Sequence, residues 1–133
     1  MIINQISIFL ENRPGQLSEI TDELNEACVN MLAIHIAEAS EYGLIRIIAD
    51  DSEKALKALK ENGFLATLSQ VVSVSVTDRP GGLNAVAKVI GEAGINIEYM
   101  YSMIRERDGI AYMIFRTSEP EALERALVAK GFF

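Results

Sequence analysis

One segment of the sequence occurs twice, and this repeat constrains the fold more than any other feature. The segment "ENRPGQL" at Glu11–Leu17 returns as "TDRPGGL" at Thr77–Leu83, so that two Arg-Pro-Gly corners lie 66 positions apart. The same offset continues without a gap and pairs Leu17 with Leu83, Ile20 with Val86, Leu24 with Ile90, Ala27 with Ala93, Asn30 with Asn96 and Gly43 with Gly109. A pattern repeated at fixed spacing indicates one supersecondary unit used twice. We therefore expect two units, residues 1–69 and 70–133.

Each repeat predicts the order strand, helix, strand, strand, helix, strand. The first strands place Ile6, Ile8 and Leu10, or Val72, Val74 and Val76, on one buried face. The helix after each corner has one apolar stripe, which begins at Leu17 or Leu83. Gly94 is placed to end its helix in a left-handed conformation, and Cys28 holds the equivalent position. This order is the ferredoxin-like βαββαβ topology, an α+β fold with helices on one face of an antiparallel sheet.

The later helices and strands of the two repeats are predicted to correspond less closely. We expect strands at 29–39, 43–49, 95–105 and 109–116, hairpin turns at "SEYG" and "ERDG", and helices at 52–61 and 119–129. A fourth strand is predicted at 64–69, but the sequence stops at Gly131-Phe132-Phe133, where its counterpart would begin. That strand is either missing or supplied by another segment. Leu32, Ile34 and Ile36 are predicted to face away from Met31 and Ala33, either towards a partner or in ordinary strand packing.

Composition limits the classes of partner and the compartment. The net charge of −7 opposes binding to nucleic acid or to an anionic membrane, both of which require a basic surface. No apolar run reaches the roughly 20 residues of a membrane helix, and the N-terminus lacks the features of a signal peptide. The single cysteine excludes an internal disulfide. We expect a cytoplasmic protein that binds neither nucleic acid nor membrane.

Residues suited to catalysis are scarce. The sequence has one histidine, one cysteine and no spacing typical of a metal site or of a phosphate-binding loop. His35 is expected to be a packed or partly exposed strand residue, with Tyr101 as its counterpart. Cys28 is expected to be a small buried residue and not a nucleophile. We expect no enzymatic activity, no cofactor and no metal.

The corners instead suit a binding site. Pro14 and Pro80 fix the backbone at the start of a helix, and the glycines after them permit a sharp turn and close approach of a ligand. The free N–H groups that follow favour a carboxylate. Asn12 or Asp78 could accept a bond from the ammonium group of an amino acid, or could merely cap the turn. These residues alone leave both interpretations open.

The pattern strand, [ND]-R-P-G-x-L, helix, [VI]-N-[IM], strand resembles the ACT domain, an amino-acid-sensing module of metabolic enzymes. The stretches "ENRPGQL" and "CVNML" are similar in particular to the regulatory domain of D-3-phosphoglycerate dehydrogenases. The resemblance covers nearly the whole chain as two units. It implies that side chains and backbone groups at both corners, and at the start of each second strand, contact a free amino acid. These residues are Asn12, Pro14, Gly15, Gln16, Leu17, Asn30 and Met31 in the first repeat, and Asp78, Pro80, Gly81, Gly82, Leu83, Asn96 and Ile97 in the second.

The sequence departs from the dehydrogenase pattern at two positions: Leu10 replaces a polar contact residue, and Asp78 replaces the loop asparagine. Serine specificity therefore does not carry over. The resemblance implies a homodimeric regulator that binds an amino acid and modulates a partner metabolic enzyme or regulator. The alternatives are a dimerisation or protein-interaction module without a ligand, a small ferredoxin-like enzyme, and an RNA-binding sheet. The last two lack the catalytic and the basic residues that they require.

Overall fold

The computed structural model describes residues 1–11, 13–37, 42–104 and 107–133. The predicted features outside the described residues are therefore Asn12, the first two residues of the turn "SEYG" and the first residue of the turn "ERDG". The strands are β1 (Ile2–Glu11), β2 (Met31–Ala37), β3 (Tyr42–Ala49), β4 (Leu65–Thr77), β5 (Tyr99–Ser102) and β6 (Ile110–Arg116). The helices are α1 (Gln16–Glu26), α2 (Ser52–Glu61), α3 (Gly82–Glu92) and α4 (Pro120–Ala129). None of the described helices has the length and apolarity that a membrane crossing requires.

The chain divides into two compact units, and the division falls inside two strands. The N-terminal unit consists of Asn4–Ser69, and the C-terminal unit consists of Met1–Ile3 together with Gln70–Phe133. Each unit therefore takes part of β1 and part of β4. The repeat predicts this pair of α+β units, and the ferredoxin-like fold is confirmed.

In the N-terminal unit, β3 pairs antiparallel with both β1 and β2. Alternating residues of β1 face helices α1 and α2, because every second side chain of a strand points to the same side. The buried cluster consists of Ile6, Ile8, Leu10, Ile20, Leu24, Val29, Ile45, Ile47, Ala55, Leu59 and Ala66. The predicted buried face of the first strand is thus confirmed.

In the C-terminal unit, β6 pairs antiparallel with both β4 and β5. Its core consists of Val72, Val74, Val76, Val86, Val89, Ile90, Ile95, Phe115, Leu123 and Leu127. The strand that the second repeat lacks comes from the other end of the chain. Met1 and Ser73 exchange two backbone hydrogen bonds of 2.7 and 2.8 Å, which is the pattern of an antiparallel pair. Ile2 packs against this core, and its N–H donates to Glu124 Oε2 at 2.7 Å.

Two predicted burial patterns are wrong. Leu17 and Leu83 head the apolar stripes of α1 and α3, yet they are 43% and 40% exposed, because each lies in the first helical turn beside its corner. The predicted faces of the second strand also differ, because the register shifts between Met31 and Ala33. A β-bulge places an extra residue in one strand and reverses the alternation beyond it. Ile34 consequently packs against the same core as Met31.

The ends of α1 and α3 show the same backbone geometry with different residues. Gly94 has φ 68° and Cys28 has φ 56°, so both adopt the predicted left-handed conformation. The expectation of a buried cysteine is wrong, since Cys28 is exposed. A non-glycine residue in this conformation costs about 1–2 kcal/mol, because its Cβ crowds the following carbonyl oxygen.

We expect Cys28→Gly to stabilise the N-terminal unit. Relief of the left-handed strain exceeds the loss from a more flexible unfolded chain, and the balance is about 0.5–1 kcal/mol. Urea unfolding at equilibrium measures the change. Gly94→Ala is the matched control, because open space surrounds its added Cβ and only the backbone penalty remains. The control is expected to destabilise by about 1 kcal/mol. A loss of stability in Cys28→Gly would show that the thiol makes favourable contacts.

Candidate functional site

A cavity of about 440 Å³ lies beside the corner of the N-terminal unit and is here called the first cavity. It is lined by Phe9, Leu10, Glu11, Arg13, Gln16, Glu19, Asn62, Gly63, Phe64 and Leu65. These residues come from the end of β1, the first turn of α1 and the turn after α2. Volumes of this size are typical of sites for small molecules.

Charged side chains form a network at the first cavity. The Arg13 guanidinium donates to both carboxylate oxygens of Glu19 at 3.2 and 3.3 Å and to Glu11 at 3.2 Å. The bonds to Glu19 are the main reason that the pKa of Arg13 is raised above its ordinary value. The buried amide of Gln16 also donates to Glu19, at 2.7 Å. The cavity therefore presents a cation and two carboxylates within one hydrogen-bonded group.

A cavity of about 350 Å³ lies at the equivalent place in the C-terminal unit and is here called the second cavity. It is lined by Ser75, Val76, Thr77, Arg79, Pro80, Gly81, Gly82, Ala85, Gly131 and Phe132. Eight of these residues have counterparts at the first cavity through the offset of 66 or, after α4, of 68 positions. The repeat has thus kept the cavity as well as the fold.

The polar side chains around the corner arginine differ between the two cavities. Thr77 replaces Glu11, Gly82 replaces Gln16 and Ala85 replaces Glu19. A Cβ on Gly82 would lie 1.9 Å from the carbonyl oxygen of Thr77, so no side chain fits at this position. The two cavities share a backbone frame and differ in charge.

The corner backbone is the same in both units. Gly15 and Gly81 cap their helices with φ 90° and 89°, a left-handed conformation that favours glycine, and no described side chain forms a capping hydrogen bond with either helix. Within the described residues, the N–H groups of Leu83 and Asn84 find no protein acceptor, as is usual for a first helical turn. The capping interpretation of Asp78 is therefore not favoured, since its own N–H bonds to Gly109 and its carboxylate caps nothing described.

The structure brings some of the predicted contact residues to the cavities. Gln16 lines the first cavity, and Pro80, Gly81 and Gly82 line the second. Pro14, Gly15, Leu17, Asp78 and Leu83 belong to the corners but are not among the described lining residues. Asn12 lies outside the described residues. A ligand role for any of these residues remains a prediction.

The predicted contacts at the start of the second strands lie away from these cavities. Asn30 is exposed between α1 and β2, where its N–H donates to the Asp50 carboxylate at 3.0 Å. Asn96 is likewise exposed, while Met31 and Ile97 pack against the cores of their own units. Their role as ligand contacts also stays a prediction.

Comparison with known proteins identifies the family. The family model of the ACT domain pair matches residues 1–132. The chain belongs to this family. A crystal structure of a Bacteroides thetaiotaomicron protein is similar to this ACT pair at 38% identity, with a TM-score of 0.91, and the match covers 98% of this chain and 89% of that one.

More distant structures share the fold of the ACT pair. The regulatory subunits of aspartate kinase from Thermus thermophilus and Thermus flavus match with TM-scores of 0.66 and 0.64 at 20% and 19% identity. These matches cover 98% and 97% of this chain, and 97% and 94% of the subunits. No curated protein matches the chain.

Sequence reasoning missed part of the cavity lining in the ACT pair. Glu19 was not singled out from the sequence; it is an exposed residue in the first turn of α1 whose carboxylate accepts two hydrogen bonds from the corner arginine. The Gly-Phe pairs at 63–64 and 131–132 form the far wall of each cavity. Their recurrence in the repeat was a signal for this, because duplicated units keep the positions that shape a shared site.

Within the described residues, no cluster of histidine, cysteine and acidic side chains could hold a metal.

We expect Gly82→Ala to distort the corner of the C-terminal unit, because the new Cβ would overlap the Thr77 carbonyl. Overpacking of this kind typically costs about 1–3 kcal/mol. Denaturant unfolding measures the loss. Gly91→Ala is the control in the same helix, since its Cβ meets nothing within 4 Å. It is expected to stabilise by about 0.5–1 kcal/mol through helix propensity. Equal changes in stability for the two substitutions would contradict the close approach of the Thr77 carbonyl to Gly82.

Proposed function

We propose that this ACT pair is a cytoplasmic, non-catalytic regulatory protein that binds a free amino acid at its corners. The ligand state then modulates a partner metabolic enzyme or regulator. The first cavity is the observation that carries the proposal. It combines a volume suited to a small molecule, a cation, carboxylates and apolar walls at the corner of an ACT unit.

The charges at the first cavity complement those of an amino acid. Arg13 offers a planar donor for the α-carboxylate, and Glu19 offers an acceptor for the ammonium group. In the free protein these two groups bond to each other. Exposed ion pairs contribute little to stability, so their exchange for a zwitterion costs little.

The walls of the first cavity favour an apolar side chain on the ligand. Phe9 and Leu65 line it while remaining 42% and 66% exposed. Burying such surface releases about 25 cal/mol for each Å² removed from water. We therefore expect apolar amino acids to bind there more tightly than serine or acidic amino acids.

Regulation follows from differential affinity. A ligand can shift an assembly or a conformation only as far as it binds one state more tightly than the other. We propose that the protein is a homodimer and that Asn30 and Asn96 complete the ligand contacts, as the ACT resemblance implies. Ligand binding would then stabilise one assembly that the partner recognises.

A calorimetric titration with each of the twenty standard amino acids tests the proposal. We expect at least one apolar amino acid to bind, and we expect Arg13→Gln or Glu19→Gln to weaken its binding about tenfold or more, the usual loss for a charged hydrogen bond. Arg125→Gln is the control that matches the charge change of Arg13→Gln, because Arg125 is exposed on α4, away from both cavities. If no amino acid binds while the oligomeric state is intact, a ligand-free dimerisation module replaces this proposal.

Asn30→Ala tests the contact implied by the ACT resemblance. Its side chain is exposed, so we expect unchanged stability together with weaker amino-acid binding. Asn25→Ala, at another exposed position of the same unit, is the control for a general effect of losing an amide. Unchanged affinity in Asn30→Ala would remove this residue from the site. Asp78→Ala and Asn96→Ala apply the same test to the second corner.

A further inference from the structure

The second cavity contains one cationic side chain and, among its described lining residues, no carboxylate. Arg79 forms no side-chain hydrogen bond or ion pair with any described residue. Its counterpart Arg13 is held by two carboxylates. The positions that supply those carboxylates in the first corner are Thr77 and Ala85 in the second. The arginine of the second cavity is therefore available to a ligand.

Hydroxyl groups accompany this cation. Ser75 and Thr77 line the second cavity, and a hydroxyl can donate a hydrogen bond to a carboxylate. Gly82 takes the place of the buried Gln16, and the close Thr77 carbonyl excludes any side chain there. The second corner therefore has no amide in the place of the Gln16 side chain.

We propose that the second cavity binds a small carboxylate that carries no ammonium group, with the ligand carboxylate on Arg79. An amino acid is disfavoured there, because its ammonium group would lie near the arginine without a carboxylate to accept it. The inference rests on the proposed function only in placing ligands at both corners. It departs from the interpretation in which Asp78 accepts a hydrogen bond from the ammonium group of an amino acid.

The net negative charge of the protein opposes the binding of anions in general. Binding of succinate would therefore indicate a specific cationic site. The net charge is −7, and at physiological salt the Debye length is about 8 Å. Only a cation within direct reach of the ligand can then offset the repulsion. Arg79 is the cation that lines the described part of the second cavity.

Succinate and L-aspartate form a matched pair of probes, because they share one carbon skeleton and differ by the ammonium group. Amide spectra of protein labelled with 15N-glycine locate the binding. Gly81, Gly82 and Gly131 report the second cavity, and Gly63 reports the first. We expect succinate to shift the second-cavity signals and to bind about tenfold more tightly than L-aspartate. Tighter binding of L-aspartate at these signals would overturn the proposal.

Two substitutions test the role of the arginine. Arg79→Gln is expected to weaken succinate binding about tenfold or more. Ala85→Glu transfers the acidic residue of the first corner and is expected to do the same by pairing with Arg79. Ala85 is exposed in the first turn of α3, where a carboxylate is favoured by the helix dipole, so folding should be preserved. Arg125→Gln is the charge-matched control.

The result separates this inference from the proposed function. The inference is supported if succinate shifts the amide signals of the second cavity and both variants lose these shifts. This holds whether or not any amino acid moves the Gly63 signal. An amino acid that moves Gly63, with no response to succinate at Gly81, Gly82 and Gly131, leaves the proposed function intact and overturns the inference. Undiminished succinate binding in Arg79→Gln or Ala85→Glu overturns it as well.

Discussion

The tight passage from strand into helix at each corner is the constraint on which the rest of this ACT pair depends. In both units a left-handed glycine directly precedes the helix, and the arginine N–H turns back to the carbonyl of the last strand residue at 2.9 Å. This turn directs the helix back over the strand that precedes it, so that alternating strand residues and one helical stripe share a core. In the part of the chain that the structure describes, it also leaves N–H groups in the first turn of α3 without partners. Folding and the proposed ligand binding thus make use of the same short segment.

The two repeats share this corner backbone but differ in several of the side chains that it carries. The corner glycines and prolines recur, and so do the Gly-Phe pairs that close the cavities. The corner arginine also recurs, but Glu11, Gln16 and Glu19 do not, because nothing in the turn requires them. The first corner surrounds its arginine with carboxylates, and the second leaves it exposed beside hydroxyls. The two cavities can therefore favour different ligands, because charge complementarity contributes to specificity.

Much of the fold was predictable because its signals are local. The period of two in β1 and β4, the helical spacing after each corner and the left-handed ends of α1 and α3 each depend on a few neighbouring residues. The predictions failed where distant parts of the chain decide the outcome. The bulge in β2 arises from its register with β3, and no residue in the strand predicts it. Burial was also misjudged at Cys28, since a left-handed helix end lies at the surface whatever residue occupies it.

By itself, the sequence determined the duplication, the ferredoxin-like units and the place where a ligand could bind, because repeat spacing and periodicity are properties of the chain alone. Only the tertiary structure decided which residues complete these features. Met1–Ile3 pairs with β4 and fills the strand position that the second repeat lacks, across a sequence separation of 72 residues. Glu19 reaches Arg13 while Ala85 leaves Arg79 without a partner among the described residues. Such contacts depend on distances in space, which local sequence patterns do not encode.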